Sequence, residues 1–138
     1  MPKEKLFSWK KEYELGIKEI DAEHKNIIRI MNDLYFILEE KLDAKATEMV
    51  LKDLLQYSTY HFATEEKYFK KFHYADATKH IKHHHFFTKK IQQIYKKNQA
   101  GEKNVTFELI DFLEDWFLEH VILADKDYVE CFNKHGLK

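Results

Sequence analysis

The chain has 138 residues, about the length of one domain, and can bury a single core without disulfides. Its 23 Lys and Arg and 24 Asp and Glu are spread along the chain, which argues against nucleic-acid binding driven by phosphate contacts. One cysteine, Cys131, excludes an intrachain disulfide, and three glycines and one proline are too few for the turns of an all-β protein. Neither a secretory leader nor a roughly 20-residue apolar span is visible, so we expect a soluble, cytoplasmic, all-α protein.

The first 18 residues are rich in aromatic side chains and are predicted to form an arm laid across the rest of the domain. After the arm, residues recur at alternating spacings of four and three in four segments, which predicts four helices. The four stripes are Ile20, His24, Ile27, Met31, Leu34 and Leu38; Leu51, Leu54, Ser58, His61, Glu65, Tyr68 and Phe72; His80, His84, Phe87, Ile91 and Ile94; and Leu109, Leu113, Trp116, His120 and Leu123.

Short connections are predicted around residues 41–45, 73–77 and 99–104. Asp21 is the expected N-cap of the first helix, while Gly101 can end the third helix and Asn104 can cap the fourth. Helices joined by short loops run antiparallel, so we expect one domain over residues 1–138. Its parts are an N-terminal arm (1–18), an up-down-up-down four-helix bundle (19–127) and a short C-terminal tail (128–138).

Each stripe contains polar side chains at positions that the helical period assigns to the interior. They are His24; His61 with Glu65; His80 with His84; and His120. Burying one unpaired polar side chain costs roughly 1 to 3 kcal/mol, so half a dozen of them need a common reason. Residues four apart share a helix face, and imidazole with carboxylate suits iron, zinc, copper or manganese. A shared metal centre is therefore predicted, and five histidines favour two metals over one tetrahedral zinc.

Other interpretations apply to single histidines. One histidine on an apolar stripe is more often bonded to a backbone carbonyl than to a metal, but four helices showing the pattern at similar depth argue against that. His73 and His135 are expected at the surface. In 80-HIKHHHF-86, the turn of ~100° per residue places His85 about 140° from His80, toward solvent, and His83 about 60° away, on the flank.

Four motifs in order resemble those of the single-domain bacterial hemerythrins, which are non-haem di-iron O2-binding proteins. They are 20-IDAEH-24, 61-HFATEE-66, 80-HIKHHHF-86 followed by Phe87, and 116-WFLEHVILAD-125. The resemblance implies two iron ions (Fe2+/Fe3+) joined by an oxo or hydroxo group. It assigns His80, His84 and His120 to one iron, His24 and His61 to a second iron with an open position for O2, and Glu65 and Asp125 to bridging both.

Asp125 is the one residue of this set that periodicity does not select. It follows His120 by five residues, which on a regular helix turns it about 140° off the stripe. If Asp125 bridges, the chain between these two residues is expected to be wound more widely than an α-helix, for example as a π-type turn. A regular helix would instead direct attention to Asp127 or Glu119.

By family position, the O2 pocket is expected to be lined by apolar residues that are also simple core candidates: Ile27, Phe62, Trp116, Phe117 and Val121. The predicted function is reversible O2 binding for carriage, storage, delivery or sensing by a monomer that is not an enzyme. We expect neither nucleic acid nor membrane as a partner, and a protein acceptor of O2 is left open. The alternatives are a di-iron oxidase, peroxidase or nitric-oxide-processing enzyme, iron storage or detoxification, and a metal-free bundle.

Overall fold

The computed structural model describes residues 7–41 and 43–138, apart from the side chains of residues 121–124. Four long helices form its frame: α1 (Lys18–Glu39), α2 (Ala44–Lys71), α3 (Ala77–Gln99) and α4 (Val105–Trp116). After α4 come a π-helical segment (Phe117–Ala124), a 3-10 turn (Asp125–Tyr128) and a short helix, α5 (Val129–Lys134). A further 3-10 turn, Lys11–Tyr13, lies in the arm.

The four long helices pack as a closed bundle. Each helix contacts the next one along the chain, and α4 also contacts α1. The short connections between them make consecutive helices antiparallel. No strand occurs among the residues that the structure describes, so the predicted all-α four-helix bundle is confirmed.

The predicted helix caps differ in their outcome. Helix α1 begins at Lys18, so Asp21 lies inside its first turn and the prediction that it is the N-cap is wrong. Its carboxylate instead accepts hydrogen bonds from the N–H groups of Leu15 (2.8 Å) and Gly16 (3.2 Å), because the chain of the arm folds back over the helix start. Asp21 thereby fixes the arm to α1.

At the α3–α4 connection the predicted positions are correct. Gly101 has a φ of 75°, which suits a glycine, and the next N–H donates to the Lys97 carbonyl at 3.1 Å to close α3. Asn104 is the residue before α4, but it has a φ of 62° and its side chain makes no capping hydrogen bond with the described backbone. Asn104 therefore contributes through its tolerance of the left-handed conformation.

The predicted interior stripes are buried with one exception among the described side chains. Leu38 is 40% exposed, while its neighbour Ile37 is 5% exposed. Leu38 lies one residue before the end of α1, where Ile37 is buried instead of the position that the stripe predicts. The prediction for Leu38 is therefore wrong, and that for Leu123 falls on a side chain outside the described residues.

The buried apolar residues form two separate clusters. The large cluster contains Ile27, Met31, Leu34, Leu51, Leu54, Phe62, Phe87, Ile91, Ile94, Leu109, Leu113, Trp116 and Phe117, among others. The small cluster contains Leu15, Ile17, Ile20, Tyr68, Phe69, Phe72, Tyr128 and Phe132. Along α1, His24 falls between Ile20 of one cluster and Ile27 of the other. A polar layer therefore separates two apolar regions of the bundle.

Both ends of the chain pack onto this bundle. In the arm, the backbone of Phe7 exchanges two hydrogen bonds with the Asn32 side chain (3.0 and 2.9 Å), and Leu15 and Ile17 are buried. The predicted arm residue Leu6 lies outside the described residues. At the other end, residues 128–138 were expected to be a tail, yet they contain α5, whose Phe132 is fully buried in the small cluster. None of the described helices is both long and apolar enough to cross a membrane.

Candidate metal centre

The seven residues predicted to bind metal lie together in the polar layer, and all of them are buried. They form two overlapping groups, in each of which one potential ligand atom per residue lies within 4.8 Å of the others. One group is Glu65, His80, His84 and His120, and the other is His24, His61, Glu65 and Asp125. The helical stripes place six of these residues, because each stripe directs its polar members to the same level of the bundle.

Glu65 belongs to both groups, and its carboxylate lies between them. One oxygen, Oε1, is 3.3 Å from Nε2 of His61 and 3.0 Å from Nε2 of His84. The other oxygen, Oε2, is 3.7 Å from Nε2 of His80. A carboxylate with neighbours on both sides has the position required of a bridging ligand.

Asp125 also faces both groups, with one oxygen toward each. Its Oδ2 lies 2.9 Å from Nε2 of His24 and 3.9 Å from Nε2 of His61. Its Oδ1 lies 2.9 Å from Nε2 of His80 and 3.4 Å from Nε2 of His120. The alternatives Asp127 and Glu119 are exposed, which leaves Asp125 as the carboxylate of this segment at the cluster.

The π-helical segment explains how Asp125 reaches the interior. A π-helix closes its hydrogen bonds between residues five apart, so it turns less per residue than an α-helix. The segment spans Phe117–Ala124 and brings His120 and Asp125, five residues apart, to the same side of the chain. The expectation of wider winding between these two residues is confirmed.

The hydrogen bonding of these side chains fits a bound cation. Twelve buried side-chain polar atoms lack a hydrogen-bond partner among the described residues, and nine of them belong to this cluster. Several approach each other to 2.9 Å without directed hydrogen-bond geometry, as His24 and Asp125 do. Buried polar groups are normally paired, so donor atoms that face a common space indicate that something else satisfies them. Imidazole and carboxylate together suit a first-row transition metal.

The electrostatics of the layer keep the carboxylates ionised. Burial alone raises the pKa of a carboxyl group, and the Asp125 carboxylate adds to this at Glu65. The contacts of Glu65 with His61, His80 and His84 outweigh both and lower its pKa to about 2. Burial likewise raises the pKa of Asp125, but its surrounding histidines hold it well below the ordinary value. Both carboxylates of the layer are therefore ionised and available to a cation.

The histidines respond to the same charges in different ways. Burial lowers the pKa of His61, but the carboxylates of Glu65, Asp125 and Glu23 outweigh it and raise that pKa to about 10. Asp125 and Glu65 raise the pKa of His80 to about 9 in the same way, against the effect of burial. At His120 burial prevails and lowers the pKa to about 3. The His120 imidazole is therefore neutral at pH 7, with a lone pair available for a metal.

Two further carboxylates that the sequence reasoning missed hold the outer nitrogens of the clustered histidines. Nδ1 of His61 donates to Glu23 at 2.6 Å, and the Thr64 hydroxyl donates to the other Glu23 oxygen at 3.1 Å. Nδ1 of His84 donates to Glu66 at 2.8 Å. A donor Nδ1–H makes Nε2 the nitrogen that faces the cluster, and a bound metal would take the place of any proton there. Glu23 precedes His24 and Glu66 follows Glu65 in the sequence. They could have been identified only from the general rule that a metal-binding histidine donates its other N–H to a carboxylate or carbonyl group.

Aromatic side chains cover the polar layer on the side that faces the large apolar cluster. Phe62 stacks on His84 (ring centroids 3.9 Å apart) and lies 5.9 Å from His61, so it spans both groups. Trp116 stacks on His120 at 4.1 Å. Ile27 and Phe117, also expected to line the O2 pocket, are buried in the large apolar cluster. Val121 falls outside the described side chains. The wall next to the cluster is therefore dry and apolar.

Two buried tyrosines flank the layer and were also missed. Tyr57 stacks parallel to His61 at 5.5 Å, and Tyr128 lies 5.7 Å from His80. Neither hydroxyl has a hydrogen-bond partner among the described side chains. Burial, then the charges of Glu65 and Asp125, raises both pKa values well above 10, so both phenols stay protonated. Tyr57 lies four residues before His61, a spacing that could have placed it on the same helix face.

The remaining histidines of the predicted set lie at the surface. His73, His85 and His135 are exposed, as expected. His83 is exposed as well, but its ring is 6.3 Å from His80 and 5.6 Å from His120. His83 is thus a neighbour of the cluster from the solvent side.

The fold and the site define the class of this protein: an antiparallel four-helix bundle with a buried, metal-competent histidine and carboxylate layer. The family described as hemerythrin HHE cation binding domain matches residues 15–131, and the chain belongs to the hemerythrin family. Bacteriohemerythrin from Clostridium acetobutylicum is 30% identical over 129 residues, which cover 91% of this chain and 100% of that protein. Bacteriohemerythrin from Pseudomonas aeruginosa is 32% identical over 123 residues, covering 89% of this chain and 79% of that protein. A crystal structure of wild-type hemerythrin superimposes with a TM-score of 0.82 at 28% identity, covering 91% of this chain and 97% of that one.

Proposed function

We propose that this protein binds O2 reversibly at a di-iron centre held by the buried layer. The observation that carries the proposal is the pair of overlapping donor groups that share a carboxylate. The proposed ligands are His80, His84 and His120 for one iron, His24 and His61 for the other, and Glu65 and Asp125 as bridges. When bound, the two irons, joined by a solvent-derived oxo or hydroxo group, supply the electrons that hold O2 reversibly.

The composition of the donor set favours binding over oxidation. Ferritin-like di-iron bundles use a Glu from each of two helices and Glu-x-x-His from the other two, which makes them rich in carboxylate. Here five imidazoles, each a neutral ligand when bound to a metal, outnumber two carboxylates, and a less negative ligand set stabilises Fe2+ relative to higher oxidation states. We therefore assign the protein to O2 carriage, storage, delivery or sensing, rather than to the enzymes that consume O2.

The unequal number of imidazoles suggests where O2 binds. Three histidines surround one side of the bridging carboxylates and only two surround the other. An iron held by His24 and His61 would have one protein ligand fewer, which would leave a position for a small molecule. O2 is the ligand that the apolar surroundings favour.

The surrounding side chains protect this position. Phe62 and Trp116 pack on the imidazoles and exclude water from the side of the large apolar cluster. A dry wall limits the entry of protons, and hence the loss of reduced oxygen from the site. Glu23 and Glu66 hold the rings of His61 and His84 in the orientation and tautomer that a metal requires. Ile27, Phe117 and Val121 complete the proposed pocket.

The proposal extends to the setting of the protein. A single cysteine suits a reducing, cytoplasmic compartment. We propose a monomer that exchanges O2 with solution or with a protein acceptor.

The decisive measurement combines metal analysis with absorption spectroscopy of the purified protein. We expect two irons per chain and visible bands that form with O2 and disappear when O2 is removed, over repeated cycles. One zinc per chain with a featureless visible spectrum would refute the proposal, and steady consumption of a reductant with O2 would favour an oxidase. Glu65→Ala should abolish the paired irons, whereas replacing the exposed His85 of the 80-HIKHHHF-86 motif by Ala should leave the spectrum unchanged.

A further inference from the structure

A small cleft opens onto the buried layer at the end of the bundle where α2 and α3 are connected. Its volume is about 80 Å³, and its walls are Tyr74, Asp76, Lys79, His80, His83 and Asp127. A cavity needs roughly 10–15 Å³ of such volume for one water molecule, so the cleft can hold an ion with part of its hydration shell.

Three parts of the chain build this cleft. Tyr74 and Asp76 come from the α2–α3 connection, and Lys79 and His83 from the first turns of α3. Asp127 comes from the 3-10 turn that follows the π-helical segment. The same winding that brings Asp125 inward thus places Asp127, two residues later, at the rim.

His80 is a wall of the cleft and a member of the buried layer. It is 5% exposed, the largest exposed fraction among the seven clustered residues, whose other values run from 0 to 3%. Its Nε2 faces Asp125 at 2.9 Å without a directed hydrogen bond. The cleft therefore ends at the proposed metal ligand His80. His83 lies beside it, with its ring 5.6 Å from the His120 ring.

The chemistry of the walls suits a divalent cation. Asp76 and Asp127 supply carboxylates and His83 an imidazole, the same donor types as the buried layer. Burial and then the charges of Asp76 and Asp127, which line the cleft with it, raise the pKa of Tyr74 to about 12, so its phenol stays protonated. Asp76 and Asp127 against Lys79 give the outer walls of the cleft a net negative charge, while His80 at its inner end faces the Asp125 carboxylate at 2.9 Å.

A larger groove between α1 and α2 is less suited to this role. It has a volume of about 760 Å³ and reaches the layer only at Glu23 and Tyr57. Glu23 is already committed to His61 and Thr64, and Arg29 in the groove wall is paired with Asp33 and Asp53 at 2.9 Å. An ion entering there would have to displace the side chain that orients a proposed ligand.

We propose that the cleft is the route by which a divalent metal ion enters and leaves the buried layer, with Asp76, His83 and Asp127 as transient ligands before transfer to His80. This inference rests on the proposed function, because it takes the layer to be the metal's destination. It separates the path of the metal from the apolar side on which O2 is expected to bind.

The test measures metal uptake without O2 chemistry. Co2+ is mixed with metal-free, full-length protein at low ionic strength, and its visible absorption is followed to the end point. Negatively charged clefts raise association rates by 10 to 1,000-fold, and Lys79 offsets part of the field, so Asp76→Asn with Asp127→Asn should slow uptake about tenfold. The control is Asp111→Asn with Asp115→Asn, the same change of charge at exposed positions of α4. It should stay within about twofold of wild type, because neither Asp111 nor Asp115 lines the cleft.

A second variant should change the rate of Co2+ uptake in the opposite direction. Lys79→Gln removes the lysine charge from the cleft and should accelerate uptake severalfold. This variant and the Asp76→Asn, Asp127→Asn double variant should both still bind the wild-type number of ions. Three results would each overturn the route. They are equal slowing of the cleft and control variants, unchanged rates, and a lower final stoichiometry in the cleft variant. A wild-type protein that takes up no Co2+ and no Fe2+ would instead overturn the proposed function itself.

Discussion

Replacement of Phe132 by alanine tests whether the C-terminal segment is an integral part of the bundle. Phe132 is fully buried, and its ring lies 4.3 Å from that of Tyr128 and 5.5 to 5.9 Å from those of Phe72, Tyr68 and Phe69. Four aromatic rings around one site leave little freedom to fill the space that the substitution creates. A Phe→Ala change in such a core costs about 3–5 kcal/mol, a large fraction of the 5–15 kcal/mol that stabilises a typical domain.

The measurement is urea unfolding together with a thermal melt. For a domain of this size each kcal/mol shifts Tm by roughly 3–4 °C, so we expect Phe132→Ala to lower Tm by roughly 10–20 °C. Phe107→Ala is the matched control, because Phe107 is 61% exposed on α4 and should change stability by less than about 0.5 kcal/mol. Equal effects of the two substitutions would show that α5 does not belong to the core, and would refute the reasoning.

Three further predictions concern the arm and the layer. Asp21→Ala removes the acceptor of two backbone N–H groups and should destabilise the protein by about 1–2 kcal/mol in urea unfolding, with Asp111→Ala as a near-neutral control. Glu23→Gln should weaken metal binding about tenfold to hundredfold in a chelator competition. Glu66→Gln should weaken it by less, because the Glu66 side chain is 37% exposed and water can replace it as the partner of His84. The reverse order would contradict this account. Removing the metal with a chelator should lower the free energy of unfolding, by about 2.7 kcal/mol relative to protein at a free metal concentration 100 times Kd; an unchanged Tm would mean that the layer is stable without a cation.

Much of the bundle could be predicted because the helical period records which face of each helix is buried. The four stripes place six of the seven clustered residues at one level, since polar members of an apolar stripe must share the interior with its apolar members. The stripe of α1 was wrong only at Leu38, in the last turn of the helix, where Ile37 is buried instead. Periodicity describes one helix and contains no information about where its neighbours end.

The remaining features depend on contacts between distant parts of the chain. Asp125 could be placed only by resemblance, because regular helical geometry turns it away and the π-helical winding is not written in the residue pattern. Asp21 has the composition of an N-cap, but the arm supplies the N–H groups that it accepts. The aromatic residues of α5 lie in a stretch too short to show a period, so their burial against Phe69 and Phe72 was not foreseen.

The division of the interior by a polar layer also bears on how this protein can change. All four described residues of the proposed O2 pocket belong to the large apolar cluster, while His80 is packed by Phe69 and Tyr128 of the small cluster. Substitutions more than 7–10 Å apart that share no partner combine additively, to within about 0.3–0.5 kcal/mol. Side chains of the large apolar cluster can therefore vary to adjust the affinity of the proposed O2 site with little effect on the packing of His80, whereas Phe62 and Trp116 also support His84 and His120.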